Sequence, residues 1–353
     1  MKNSIIKISA VLFLSLILFS CESDDPSTPA PNVCDNAQIY SLSTTDPYAG
    51  LTDLNTNGAD ETLAWAATGT IVTGGLGVAI SNSGTSTYNY DSESYHYYNY
   101  QSKEFININS NTTFNNVPLT GGSINYKYNG ITYVSTLGKY FILGVDVSGT
   151  ATNGTIGLFE ILNINTGNVA LNPIITIANY VVPAGMENLF LEYISIATDN
   201  NDMIYAVSRT DLMRFNLTSG TSLHTVLPPS PAGFALEYFG LEYNNNWNAL
   251  IAISHAYSGP ELKIVEINPS LLTISNSSPN LTVDIPNFFT DYYSTTLSCD
   301  EDTYFISNRS SNIDTALYTV DISFGVSMIA SASISNTTII GNYHFGLESN
   351  GNN

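Results

Sequence analysis

Tyrosines are concentrated in one short stretch of this chain. Residues 86–101 read STYNYDSESYHYYNYQ and contain six tyrosines. A tyrosine ring covers apolar surface while its hydroxyl forms hydrogen bonds, so such a cluster suits recognition of a sugar or of another protein. Tyrosine also favours strands, but glycine, serine and aspartate interrupt the alternation here and favour a loop over 82–100. We take four of these tyrosines as ligand-binding candidates: Tyr95, Tyr97, Tyr98 and Tyr100.

A second aromatic set recurs at matched positions along the chain. Its members stand beside polar and often acidic neighbours, as in Glu192-Tyr193 and Glu237-Tyr238. Such aromatics could bind a sugar, because ring faces cover C–H patches and carboxylates accept hydrogen bonds from hydroxyls; packing between strands is the alternative. The set is Tyr128, Tyr193, Tyr238, Tyr292 and His344.

Three basic side chains, Arg209, His255 and Arg309, also occupy matched positions. Guanidinium groups bind carboxylates and sulfates in a bidentate manner, so they could recognise an acidic sugar. Salt bridges to Glu237 or Asp291 are the alternative.

No motif for catalysis or for a resident metal stands out. The four histidines are scattered, and neither HExxH nor GxSxG occurs. Carboxylates are abundant, so a glycosidase or lyase that uses two of them stays open, although the sequence selects no pair. The turn at residues 199–202 could hold Ca²⁺ but lacks the twelve-residue loop pattern. We expect no cofactor beyond weakly bound Ca²⁺, and a binding protein rather than an enzyme.

The first twenty residues indicate export. Lys2 and Lys7 precede an apolar run that is too short to span a bilayer comfortably, which is typical of a signal peptide over residues 1–20. Residues 18–21, Leu-Phe-Ser-Cys, resemble the bacterial lipobox, and this resemblance implies that Cys21 is lipidated, including by palmitate-type acyl chains. An ordinary secretory signal with an incidental cysteine is the alternative.

The residues after Cys21 extend this interpretation. Residues 22–25, Glu-Ser-Asp-Asp, resemble the export tag of Bacteroidetes lipoproteins, which implies the outer face of the outer membrane. Pro26, Pro29 and Pro31 then predict an extended tether, so residues 21–37 form a lipidated tether. Two further cysteines, Cys34 and Cys299, could pair in an oxidising compartment or remain as two buried thiols.

Composition restricts the partners. The chain carries a net charge of −21, which repels nucleic-acid phosphates and anionic lipids, so we expect no nucleic acid and membrane contact only through the lipid anchor. Its 43% hydrophobic content is ample for a large core. We expect a monomeric domain whose partner is a glycan or a surface protein.

A strand–turn–strand pattern repeats six times. The apolar residues that open each copy are 50 to 66 residues apart. A second pair of strands lies between copies, clearly in the stretches from Lys127, Glu192, Glu237 and Asp291 and loosely in the stretch from Leu63. The first pattern begins at Gln38, Glu104, Gly157, Asp211, Glu261 and Ala316.

Four strands in each unit of about 50 residues resemble the β-propeller. The prediction is therefore an all-β propeller over residues 38–353, with about six four-stranded blades and the terminal strands closing the last blade; a pair of β-sandwiches is the alternative. The chain begins with what reads as an outer strand pair and ends with one inner strand. One strand of the closing blade is thus unaccounted for, so either that blade has three strands or the sequence is truncated at its C-terminus.

The resemblance implies that the tyrosine run and the starts of the inner strands share one ligand face. The leading hypothesis is a surface-anchored protein that binds a glycan or another extracellular polymer without catalysis. The alternatives are a propeller glycosidase or lyase that uses channel carboxylates, and a scaffold subunit of an outer-membrane complex.

Overall fold

The computed structural model describes residues 39–45, 48–56, 63–70, 84–109, 114–148, 153–183, 185–228, 236–256, 261–286, 288, 290, 293–309, 315–337 and 343–349. Their regular secondary structure is almost entirely β-strand, as predicted. Within these ranges, no helix is long and apolar enough to span a membrane.

The strands are named in chain order. They are β1 Ile39–Thr45, β2 Tyr48–Thr56, β3 Leu63–Thr70, β4 Thr85–Asn89, β5 Ser94–Asn99, β6 Glu104–Ile108, β7 Phe114–Pro118, β8 Thr120–Gly121, β9 Tyr126–Val134, β10 Lys139–Asp146, β11 Asn153–Asn163, β12 Asn168–Val169, β13 Ile175–Pro183, β14 Ile194–Thr198, β15 Met203–Ser208, β16 Asp211–Asn216, β17 Thr221–Val226, β18 Leu236–Asn244, β19 Ala249–Ala256, β20 Leu262–Asn268, β21 Thr273–Ser277, β22 Tyr293–Leu297, β23 Thr303–Arg309, β24 Thr315–Asp321, β25 Ser333–Thr337 and β26 Tyr343–Ser349. One short helix, α1, spans Glu187–Glu192, and 3₁₀ turns span Ser135–Leu137, Ile164–Thr166 and Val326–Met328.

The described strands form six sheets, which are the blades. Blade 1 has the order β26-β1-β2-β3, and blades 2, 4, 5 and 6 are β4-β5-β6-β7, β14-β15-β16-β17, β18-β19-β20-β21 and β22-β23-β24-β25. Blade 3 runs β9-β10-β11, and both β12 and β13 then pair with β11. The first strands contact one another in a closed cycle, β26-β4-β9-β14-β18-β22 and back to β26. The propeller prediction is therefore confirmed.

The closing blade differs from the prediction in its strand assignment. β1 and β2 are its second and third strands, because β26 pairs with β1 on the inner side. The fourth strand is β3, which sequence reasoning had placed in the inner pair of the next blade. This blade thus has four strands among the described residues, so the expectation of a missing strand was wrong. Joining the two termini in one sheet leaves no unpaired edge between them.

The core lies between neighbouring blades. One buried cluster contains Phe239 and Ile253 of blade 5 together with Ile306 and Tyr318 of blade 6. A second joins Leu143 of blade 3 to Ile204 and other residues of blade 4. Both faces of these sheets are therefore covered, and each blade is held by its two neighbours.

The two faces of the ring are distinguished by their connections. Hairpin turns of adjacent blades meet on the face where the innermost strands end: Thr136 donates to the Asn201 carbonyl, and Asn245 donates to Glu301. We call this the lower face. The upper face is where the innermost strands begin, near Glu192 and Leu236.

Candidate functional site

A cavity of about 110 Å³ lies on the axis of the ring. Segments of five innermost strands or their approaches line it: 84–86, 192–196, 240–242, 293–295 and 346–348, together with Thr290. It extends from Glu192 at the upper face to the middle of the channel.

Two glutamates reach this cavity from equivalent positions. The tetrapeptide Phe-Gly-Leu-Glu occurs as residues 239–242 in β18 and again as residues 345–348 in β26. In both strands the pairing register shifts, a β-bulge, and the glycines adopt positive φ values of 60° for Gly240 and 61° for Gly346. A bulge redirects the side chains that follow it, and here Glu242 and Glu348 line the cavity. Sequence reasoning missed this pair, although the repeated tetrapeptide was a visible signal.

Glu348 is a partly buried carboxyl with a hydroxyl partner. Its Oε1 accepts a hydrogen bond from Ser86 Oγ at 2.8 Å. Burial raises the pKa of Glu348 to about 7, against the opposing effect of hydrogen bonds from Ser86 and from the Tyr88 backbone. The group therefore changes charge near neutral pH.

Glu242 accepts a hydrogen bond from Thr295 Oγ1 at 2.9 Å. Burial raises its pKa well above the usual value, and the negative charge of Glu348 raises it further. Because the two carboxyls share one cavity and repel each other when ionised, the pair retains protons at a pH where ordinary carboxyls are ionised. Tyr90, in the β4–β5 turn, lies at the lower end of the channel, and both glutamates raise its pKa after the larger effect of burial.

Hydroxyl groups occupy the upper part of the cavity wall. Ser195 Oγ lies 3.0 Å from the Tyr293 hydroxyl and accepts a hydrogen bond from the Gly240 backbone N–H at 3.0 Å. Burial raises the pKa of Tyr293 to about 12. The cavity thus combines two carboxyls that hold protons with several hydroxyls, which is a wall able to donate and accept hydrogen bonds.

A polar and aromatic cluster lies on the upper face beside this cavity. Asn188 Oδ1 accepts hydrogen bonds from Lys127 Nζ at 2.6 Å and from the Tyr100 hydroxyl at 3.2 Å. Burial, followed by the charge of Glu192, raises the pKa of Tyr100 to about 12. Since Glu192 also lines the cavity, this mouth cluster of Tyr100, Lys127, Asn188 and Glu192 borders its opening.

The other three candidate tyrosines of the run are in the interior. Tyr95, Tyr97 and Tyr98 lie in β5 and are 1%, 0% and 1% exposed, so the expected loop was wrong. The Tyr95 hydroxyl donates to the Gly346 carbonyl at 2.7 Å, and Tyr98 packs on Phe105. The neighbouring blades cover β5 on both sides, so these three rings expose no surface to a ligand in this structure. Tyr100, just after β5, is only partly buried.

The second aromatic set divides in the same way. Tyr128 and Tyr238 are buried, and their hydroxyls are hydrogen-bonded to the Ser123 backbone N–H and the Pro228 carbonyl, both at 2.8 Å. These two serve packing, whereas Tyr193 lines the cavity. Tyr292 lies outside the described residues. His344 lies in β26 opposite Ser43, and its side chain is not among those described.

The basic residues do not converge on one anion site among the side chains that the structure describes. Arg209 Nε and Nη2 lie 2.6 and 2.5 Å from Glu237 Oε1, so its charge is already paired. His255 is opposite Glu237 across β18 and β19 and packs on Phe288. Its Nδ1 is buried without a hydrogen-bond partner among the described residues, and burial lowers its pKa. Arg309 ends β23, and its side chain lies outside the description.

A cysteine pair and a weak Ca²⁺ site in the turn at residues 199–202 were the remaining possibilities from the sequence. Cys299 is disulfide-bonded, while Cys21 and Cys34 lie outside the described residues. Within the described ranges, no group of three or more His, Cys, Asp or Glu side chains is placed to hold a metal ion. In the turn considered for Ca²⁺, Asp199 Oδ1 instead accepts three backbone N–H bonds, from Asn201, Asp202 and Met203.

Comparison with known proteins supports the fold alone. No protein-family model matches the chain, and no curated protein matches it significantly. A chain of the nidogen–laminin complex is similar with a TM-score of 0.51 and 10% identity, over 89% of this chain and 98% of that chain. A periplasmic gluconolactonase from Pseudomonas aeruginosa is similar with a TM-score of 0.50 and 11% identity, over 89% of this chain and 98% of that chain. A Bacteroides caccae protein of unknown function is similar with a TM-score of 0.48 and 11% identity, over 84% of this chain and 98% of that chain.

Proposed function

We propose that this chain is a lipoprotein anchored through Cys21 to the outer face of the outer membrane, and that its propeller binds a glycan. The binding site in this proposal is the axial cavity together with the mouth cluster. The observation that carries it is the cavity wall, in which Glu242 and Glu348 stand among hydroxyl groups.

This wall suits an uncharged polyhydroxylated ligand. A protonated carboxyl donates one hydrogen bond and accepts others, so the pair can match sugar hydroxyls without requiring a counter-ion. Acidic polymers are disfavoured, since the chain is strongly anionic and Arg209 is already paired with Glu237. The half-buried ring of Tyr100 at the opening can cover the C–H face of a second sugar unit.

The test is binding of the mature chain to a panel of neutral and acidic polysaccharides, with and without Ca²⁺. Glu348→Leu and Tyr100→Ala should each weaken retention of a bound polysaccharide at least tenfold. Tyr243→Ala, on the lower-face end of β18, and Glu93→Gln, exposed in the β4–β5 turn, are the matched controls and should have no effect. Binding that survives both site variants would place the ligand elsewhere.

Glycoside cleavage is a second candidate, favoured by one specific observation. The pKa of about 7 for Glu348 is what a general acid needs near neutral pH, and a second carboxyl shares the cavity. In that case the bound polysaccharide would release new reducing ends, and Glu348→Gln would abolish release while retaining binding. If the wild-type chain retains the polysaccharide and releases no new reducing ends, the result supports the binding role.

Anchoring and surface location have their own test. Metabolic labelling with a clickable fatty acid should tag the wild-type chain and not a Cys21→Ser variant. Protease added to intact cells should degrade the wild-type chain if it faces outward, while a periplasmic marker stays intact.

A further inference from the structure

A groove of about 440 Å³ with a mixed polar and apolar lining lies on the lower face of blade 6. It runs between the start of β23, the end of β24 and the start of β25. Phe324 and Met328 line it and are 81% and 70% exposed. Single exposed apolar side chains are ordinary, but two that line one concave surface are candidates for contact with another segment.

Cys299 lies next to this groove. It belongs to the β22–β23 turn, where Ser298 N–H bonds the Thr303 carbonyl at 2.9 Å, and Thr303 lines the groove. Ile322 N–H bonds the Asp302 carbonyl at 2.8 Å, so the turn and the groove wall form one hydrogen-bonded unit. Cys299 is disulfide-bonded, and the chain's only other cysteines, Cys21 and Cys34, both precede β1.

The first strand begins at the same face. Ile39 is opposite Ser349, the last residue of β26, and packs with Phe305 and Leu317 of blade 6. Ile39 lies five positions after Cys34, and these five steps can span about 17 Å when extended. Cys34 can thus reach the lower-face turn of blade 6 without crossing the ring.

We propose that residues 26–33 of this chain occupy the groove, held by a Cys34–Cys299 disulfide. This stretch reads PSTPAPNV, with no charged side chain and with prolines at 26, 29 and 31. Pro-rich segments favour an extended polyproline II helix, which docks into grooves lined by aromatic and apolar side chains. The acidic residues 22–25 remain outside it. The proposal rests on the disulfide prediction and is independent of glycan binding.

Photo-crosslinking of the full chain extracted from membranes tests this docking. With Phe324→p-benzoylphenylalanine, crosslinks should map to residues 26–33 of the same chain, and a non-reducing peptide map should contain a Cys34–Cys299 pair. The same probe at Leu223, 40% exposed on β17, should give no such product. Crosslinks to a second copy, to another protein or to other segments would overturn the proposal, as would a Cys21–Cys299 pair.

A proteolysis experiment supplies an independent readout. Elastase cleavage within residues 26–33 should accelerate at least tenfold in the double variant Phe324→Ser, Met328→Ser, because the segment loses its apolar contacts. The control double variant Leu223→Ser, Val226→Ser removes exposed apolar side chains from blade 4 and should leave the rate unchanged. Equal rates in all three chains would show that the groove does not hold the segment.

Discussion

Replacing Glu348 with glutamine should change how stability depends on pH. The pKa of this carboxyl rises from 4.5 to about 7 in the folded chain, mainly through burial. The folded state therefore holds the proton more tightly than the unfolded state does. Stability is greatest below the unfolded pKa and falls as the pH rises from about 4.5 to about 7. Glutamine keeps an oxygen for Ser86 and cannot ionise, so Glu348→Gln lacks this loss.

The size of the effect follows from the two pKa values. A pKa difference of about 2.5 at about 1.4 kcal/mol per pKa unit gives about 3.5 kcal/mol in full. At pH 5 the unfolded carboxyl is already mostly ionised, so the window from pH 5 to pH 8.5 contains about 2.5 kcal/mol of it. Over this window, the free energy of unfolding of Glu348→Gln should rise by that amount relative to wild type.

Urea denaturation of both chains at pH 5 and pH 8.5 measures this difference. Comparing the variant with wild type cancels groups that do not interact with Glu348, including His96, whose buried imidazole acts in the opposite direction. Glu242 does not cancel, because the charge of Glu348 raises its pKa in wild type only. Glu93→Gln is the control for removal of an exposed carboxyl. If the difference between variant and wild type changes by less than about 0.5 kcal/mol over this window, then Glu348 is not held in a desolvated channel and the reasoning fails.

Three further predictions concern the interior. Burial lowers the pKa of His96 to about 4, so stability should be lost as the pH falls from about 6.5 toward 4. In urea titrations, His96→Asn should reduce that loss. An unchanged pH dependence of the unfolding free energy below about pH 6.5 would contradict this prediction. Gly240→Ala should destabilise the chain by about 3 kcal/mol, because φ is +60° and the new Cβ would lie 2.5 Å from Thr295 Cγ2. Gly220→Ala is the control: φ is +67° and no atom lies within 4 Å, so only the backbone cost of about 1 kcal/mol applies. Equal midpoint shifts of the two variants in thermal melts would argue against the close packing at Gly240. Tyr98→Ala should cost about 3–5 kcal/mol of unfolding free energy and Tyr100→Ala less than half of that, because only the first ring is fully buried; similar losses in urea would mean that both rings are packed alike.

The sequence predicted the repeat well because each hairpin carries its own signal. The β14–β15 pair follows from alternating apolar residues around the Asp-Asn turn at 199–202, and its pairing in the structure is regular. The position of a strand within its sheet carries no such local signal. β3 reads like an inner strand but pairs with β2 at the outer edge, so its assignment failed.

The tyrosine run was misread for a related reason. Blade 2 is covered on both faces, so polar residues on a buried face must bond one another: His96 Nδ1 lies 2.8 Å from Asn107 Oδ1, and its Nε2 lies 2.8 Å from Ser94 Oγ. Such residues interrupt the hydrophobic alternation of the strand, so its sequence has the pattern expected of a loop. The repeated tetrapeptide marks the two channel glutamates in the sequence, but it does not show that they share a cavity, which only ring closure creates.

The starting point of β1 has a consequence for how the particle stands on a cell. Ile39 is at the lower face of the ring, and the axial cavity opens at the upper face. If Cys21 carries the lipid, the protein is fixed by its base with the cavity mouth pointing away from the bilayer. A long polymer could then enter the cavity by its end, or bind through a bend in the chain, without having to lie between the protein and the membrane. Because β26 ends beside the start of β1, a membrane anchor attached after β26 would hold the protein in the same orientation.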